Sequence, residues 1–92
     1  MSLKPKLIDK KVFKRVAKKC HFCPCDQYEL LDVHRILPGK DGGKYTEHNS
    51  VTCCSLCHRK IENGIIKILG KYRSTAGTVI QYIDEDGLEK WK

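Results

Sequence analysis

Two Cys-x-x-Cys pairs, Cys20 with Cys23 and Cys54 with Cys57, stand thirty-one residues apart in a chain of only 92. A chain this short buries too little apolar surface to be secure through packing alone, so a metal or a disulfide is the expected staple. Each CxxC presents two thiolates from one tight turn, and two such turns complete a tetrahedral zinc site. Structural Zn²⁺ on Cys20, Cys23, Cys54 and Cys57 is therefore the expectation. The sequence holds six cysteines. Cys25 could replace Cys23, and Cys53 could replace Cys54, but only the first choice gives two clean CxxC turns. The other two are expected as small buried side chains. No apolar run has secretory or membrane-spanning length, which points to a cytoplasmic setting with reduced thiols and to no membrane partner.

The net charge is +7, and its placement is informative. Residues 1–19 carry Lys4, Lys6, Lys10, Lys11, Lys14, Arg15, Lys18 and Lys19 against one acid, Asp9, whereas the rest of the chain balances ten basic and ten acidic residues. A basic arm on a neutral core suits contact with a phosphate backbone, because Lys and Arg displace counterions from a polyanion. From Asp9, a good N-cap, Val12, Phe13, Val16 and Ala17 recur at helical spacing, giving a short amphipathic helix with a basic outer face. Tyr28 to Ile36 reads as a strand, Pro38 to Gly43 as loop, and Val51 to Cys53 as a second strand. Ser55 is placed to cap a helix that runs to Asn63 and ends at Gly64. Ile65 to Arg73, Thr78 to Ile83 and Leu88 to Trp91 read as three strands, with turns at Ala76-Gly77 and Asp84 to Gly87.

The stretch Leu31-Asp32-Val33-His34-Arg35-Ile36-Leu37-Pro38, then Gly42-Gly43, His48-Asn49 and Cys54-Ser55-Leu56-Cys57-His58, resembles the HNH endonuclease family over about residues 20–64. The resemblance implies an α+β fold. A ββα-metal core with paired zinc knuckles (20–64) would lie between a basic helix (1–19) and a small antiparallel β extension (65–92), all in one domain spanning 1–92. It implies a metal-dependent endonuclease that hydrolyses phosphodiester bonds in double-stranded DNA, in a bacterial or phage-infected cell, with a homodimer as one working form. Carried over by position, His34 and His58 would hold a catalytic Mg²⁺ or Mn²⁺. Asn49 would hold the long loop and orient the general base.

One position departs from the family. Counting back three residues from Pro38, the place of the usual general-base His is taken by Arg35, which stays protonated and cannot accept a proton from water. It can bind phosphate oxygens bidentately. His48 and Tyr45, on the same loop, are then candidate bases, His48 being better matched to neutral pH. Alternatively, His34 is the base and the metal is held by His58 and Glu62, which lies one helical turn further on. Lys10, Lys11, Lys14, Arg15, Lys18, Lys19, Arg35 and Arg59 are the candidate DNA contacts, with Arg59 equally placed to face solvent. His21 reads as a surface residue, and Tyr28, Tyr72, Tyr82 and Trp91 read as strand packing. A zinc-organised nucleic-acid-binding module with an impaired centre is the alternative function. A protein-interaction adaptor with incidental histidines is the third reading.

Overall fold

The computed structural model describes residues 6–75 and 77–92. Lys4 and the Ala76 half of the expected Ala76-Gly77 turn lie outside the described residues. The element order is α1 (Lys10–Ala17), β1 (Leu31–Arg35), β2 (Ser50–Cys54), α2 (Ser55–Glu62), β3 (Lys67–Ser74), β4 (Gly77–Ile83) and β5 (Glu89–Trp91), with short 3₁₀ turns at Tyr28–Leu30 and Gly39–Asp41. The result is a small α+β fold with two helices and two antiparallel sheets. No described helix is long and apolar enough to cross a membrane.

β2 is the buried strand of the two-stranded amino-terminal sheet. It carries no charge, and all five of its residues are buried. It pairs with β1 in unbroken antiparallel register, from Leu31 opposite Cys54 to Arg35 opposite Ser50. The strand expected over Tyr28–Ile36 starts only at Leu31. β2 turns into α2 opposite that residue, which leaves Tyr28–Leu30 without a strand to pair with, and their backbone closes a 3₁₀ turn instead. α2 follows β2 with no intervening loop, and its cap is Cys54 rather than Ser55: the Cys54 sulfur accepts the Cys57 N–H at 3.4 Å. The CxxC turn thus supplies the acceptor that a serine would otherwise provide.

The second sheet has the order β3-β4-β5. β3 begins at Lys67 rather than Ile65, because the N–H groups of Ile65 and Ile66 are both spent on the carbonyl of Lys60 at the end of α2. β5 begins at Glu89 rather than Leu88, since the Leu88 N–H is held by the Asp84 carboxylate within the turn. The interior forms two clusters. One contains Cys20, Leu31, Cys53, Cys54 and Cys57; the other contains Val51, Ile66, Ile80 and Tyr82; Phe22 and Ile61 pack against both.

α1 departs from the expected orientation. Asp9 caps it, accepting from Lys11 and Val12, but none of its residues is buried, and Val12 and Val16 are 51% and 75% exposed. Its inward contacts are partly cationic. Lys14 donates to the Leu31 carbonyl at 3.1 Å and lies 4.7 Å from the Tyr28 ring centre, while Lys10 sits 3.7 Å over Tyr45. Long lysine stems and aromatic faces hold the helix in place of an apolar stripe. Lys11, Arg15, Lys18 and Lys19 remain exposed.

Candidate functional site

The four cysteines of the two CxxC pairs converge. Their sulfur atoms all lie within 4.8 Å of one another, with Cys23 Sγ 3.6 Å from Cys54 Sγ, and Cys20, Cys54 and Cys57 are buried. Two turns bring them together. In the first, the Cys20 N–H bonds to the Cys25 carbonyl and the Phe22 N–H reaches the Cys20 sulfur; the second is the β2–α2 junction. Burial raises the Cys23 and Cys57 thiols above their ordinary value. At Cys54 burial acts in the same direction, but the Cys57 N–H and the neighbouring thiols outweigh it and bring this thiol down to about 7. These four side chains could hold a metal ion such as zinc. Cys53 packs in the core, fully buried, with its thiol raised by that burial, and Cys25 is half-buried beside it.

A cleft of about 610 Å³ is lined among others by His34, Arg35, Tyr45, His58, Glu62 and Lys67, and by none of the cysteines. Strand alternation places it. Leu31 and Val33 are buried in the core, whereas Asp32 and His34 share the face of β1 turned toward α2. His58 and Glu62, one helical turn apart, answer from α2. The His34 and His58 ring centres are 5.2 Å apart, and His58 Nε2 lies 3.1 Å from Glu62 Oε1. Burial, with His58 and Arg35 nearby, lowers the pKa of His34 despite the opposing effect of Glu62. Among the described residues, the cysteine cluster is the only group of three or more potential ligands whose donor atoms all lie that close together. The cleft pairs two ligand atoms, on His58 and Glu62, with His34 beside them.

Arg35 ends β1 with its guanidinium 4.6 Å from the Tyr45 ring centre, against Gly39, where an added Cβ would meet it at 2.7 Å. Asn49 closes the loop between β1 and β2: its Oδ1 accepts the Leu37 N–H at 2.7 Å, and its Nδ2 donates to the Leu37 and Lys44 carbonyls at 3.1 and 2.9 Å. The chain doubles back so tightly there that a Cβ on Gly43 would lie 1.7 Å from the Leu37 carbonyl oxygen. His48, although next to Asn49, is exposed and lines a separate small depression with Glu47, Lys71, Arg73 and Thr78. Arg59 is exposed on α2 and does not line the cleft. His21 is half-buried rather than a surface residue: its Nε2 lies 2.6 Å from the Lys92 carbonyl, and burial lowers its pKa. Tyr82 is buried under β4, whereas Tyr72 and Trp91 stack at 5.7 Å on the exposed face of the second sheet.

Two features at or beside the cleft escaped the sequence reading. Behind the His58 ring, outside the cleft lining, Asp32 Oδ2 lies 3.3 Å from His58 Nδ1, and Lys67 enters the lining from β3. For Asp32 the signal was its position two residues before His34, hence on the same strand face. Comparison with known protein families, with curated proteins and with solved structures gave no match.

Proposed function

We propose that this chain is a metal-dependent endonuclease of the HNH kind, with a structural Zn²⁺ on Cys20, Cys23, Cys54 and Cys57 and its reaction centre in the cleft between β1 and α2. The observation that carries the reading is the meeting of His34, Arg35, His58 and Glu62 in one cleft, beside the β2–α2 junction where Cys54 and Cys57 join the cysteine cluster. His58 and Glu62 would hold a Mg²⁺ or Mn²⁺ ion, which commonly takes one or two protein ligands and completes its shell with water and phosphate oxygens. Such an ion supplies Lewis-acid stabilisation of the leaving oxygen.

Each neighbouring side chain then has a task suited to its chemistry. A ring nitrogen of His34 accepts the proton of the attacking water, a role suited to a half-buried imidazole whose pKa burial lowers. Arg35, held by Tyr45 and Gly39, binds the scissile phosphate and stabilises its added negative charge. Asn49 keeps the loop that carries Tyr45 closed over the cleft edge. The exposed cations of α1, namely Lys11, Arg15, Lys18 and Lys19, contribute sequence-independent contacts to the DNA backbone. Placing the base at His34 and the metal at His58 and Glu62 is favoured over a His48 base, because His48 faces a different depression.

The test is nicking of supercoiled plasmid in Mg²⁺ or Mn²⁺ by the zinc-loaded chain. Wild type is expected to cut, with His34→Ala lowering the rate by roughly 10²- to 10⁴-fold, His58→Ala abolishing it and His48→Ala leaving it unchanged. Salt-sensitive DNA binding with no cutting would transfer the assignment to the second reading, a nucleic-acid-binding module. The observation favouring that reading is the arginine in the family's base position.

A further inference from the structure

Both nitrogens of the His58 ring face a carboxylate. Nδ1 lies 3.3 Å from Oδ2 of Asp32, and Nε2 lies 3.1 Å from Oε1 of Glu62. The two carboxylates stand on different sides of the ring: Glu62 lines the cleft with His34, Arg35 and His58, and Asp32 does not. A neutral imidazole carries one N–H, and an ionised carboxylate accepts hydrogen bonds but cannot donate one. Doubly protonated, the ring satisfies both neighbours. Neutral, it can donate to only one of them, and its other nitrogen then turns a lone pair toward an oxygen lone pair unless a cation lies between the two.

The asymmetry of the surroundings decides which side takes which role. Glu62 and Nε2 meet at the cleft, where an ion can be approached by water and phosphate. Asp32 meets Nδ1 behind the ring, on the strand that carries His34, and Asp32 and His34 point the same way because they are two residues apart. We propose that Asp32 is a positioning residue that accepts the Nδ1–H of His58, fixes that tautomer, and so turns the Nε2 lone pair toward Glu62 as a divalent-metal ligand. A carboxylate behind a metal-binding imidazole also makes the ring a stronger donor to the ion. The metal half of this assignment rests on the nuclease reading; that the tautomer depends on Asp32 stands on the contact between that carboxylate and Nδ1.

Long-range ¹H–¹⁵N correlation on the zinc-loaded full chain, at a pH where His58 is neutral, reports which ring nitrogen carries hydrogen. Wild type is expected to be Nδ1-protonated. Asp32→Leu is expected to move the proton to Nε2, where Glu62 accepts it, and Asp32→Asn, whose amide oxygen still accepts, to keep Nδ1–H in large part. The Asp32 side chain is 48% exposed, so both variants are expected to fold, and a dispersed amide spectrum checks this. Mn²⁺ titration of the same samples is expected to give about 10- to 100-fold weaker binding for Asp32→Leu and a smaller loss for Asp32→Asn. An Nε2-protonated His58 in wild type, or a tautomer and Mn²⁺ affinity indifferent to Asp32→Leu, overturns the proposal and leaves the nuclease reading standing. A wild type that binds no Mn²⁺ but shows the Asp32-dependent tautomer removes the metal reading and keeps the positioning role.

Discussion

The cluster at the end of β2 and the cluster beneath β3 and β4 lie side by side, bridged by Phe22 and Ile61, yet they are made of different material. The first buries Cys20, Cys53, Cys54 and Cys57 around one large apolar side chain, Leu31; the second buries Val51, Ile66, Ile80 and Tyr82. Branched aliphatic and aromatic side chains contribute about 1.5–3 kcal/mol each on full burial, so the second cluster can hold its sheet by packing. Thiols are smaller, and three of these, Cys20, Cys54 and Cys57, crowd with the partly buried Cys23 within 4.8 Å. An ion on the sulfurs would therefore add most to the amino-terminal half, whereas the carboxy-terminal half is held by apolar contact.

Metal removal should break this comparison open most widely. Structural zinc binding is worth about 10–16 kcal/mol in small zinc domains, while whole domains are stable by only about 5–15 kcal/mol. Chelation, or Cys57→Ser, is expected to abolish ordered β1–β2–α2 structure, read as loss of dispersed amide signals for Leu31, Val51 and His58. Retention of those signals in a metal-free sample would sink the idea that thiol ligation holds this half. A smaller effect is expected on the other side. Ile80→Ala should cost roughly 2–5 kcal/mol, seen as a lower Tm of the metal-loaded protein, while the cobalt-substituted cysteine site keeps its thiolate absorption band. Loss of metal in Ile80→Ala would mean that the two clusters are not separable.

Acid should separate the halves in order, with the smallest effect last. Metal binding requires thiolates, so the cysteine site is expected to release its ion first as pH falls. The Asp84 carboxyl is held below its ordinary 3.8, first by the backbone contact at Leu88 and then by Lys90. A group with a depressed folded-state pKa adds stability above its unfolded value and loses it as pH falls through the folded one. The β4–β5 turn should therefore loosen only below pH 3.8, and Asp84→Asn should flatten that step in the Leu88 amide signal. A turn that loosens before the metal leaves would contradict the order.

Much of the amino-terminal architecture was legible because short-range chemistry dictates it. The CxxC spacing marks the sulfur cluster, and Pro38, Gly42 and Gly43 mark the loop that Asn49 closes. What escaped depends on contacts between distant segments. Tyr28–Leu30 look like strand residues, but β2 offers them no partner. α1 has an apolar stripe, yet two tyrosines and one carbonyl draw Lys10 and Lys14 inward and leave Val16 in solvent. His48 sits beside Asn49 in sequence but turns to another depression, whereas Asp32 becomes visible as a neighbour of His58 only once α2 is laid across β1.

The clasp at Asn49 also bears on how this domain can vary. Both polar atoms of one side-chain amide pin Leu37 and Lys44, and Gly43 passes against the Leu37 carbonyl, so the loop is tied at its neck. Extra residues at the exposed Gly39–Asp41 tip would lie beyond that knot, and each doubling of loop length adds only about 0.6 kcal/mol of closure entropy. Beyond Gly39, which packs on the Arg35 guanidinium, the tip is thus a position where chain can be inserted without moving the Asn49 clasp.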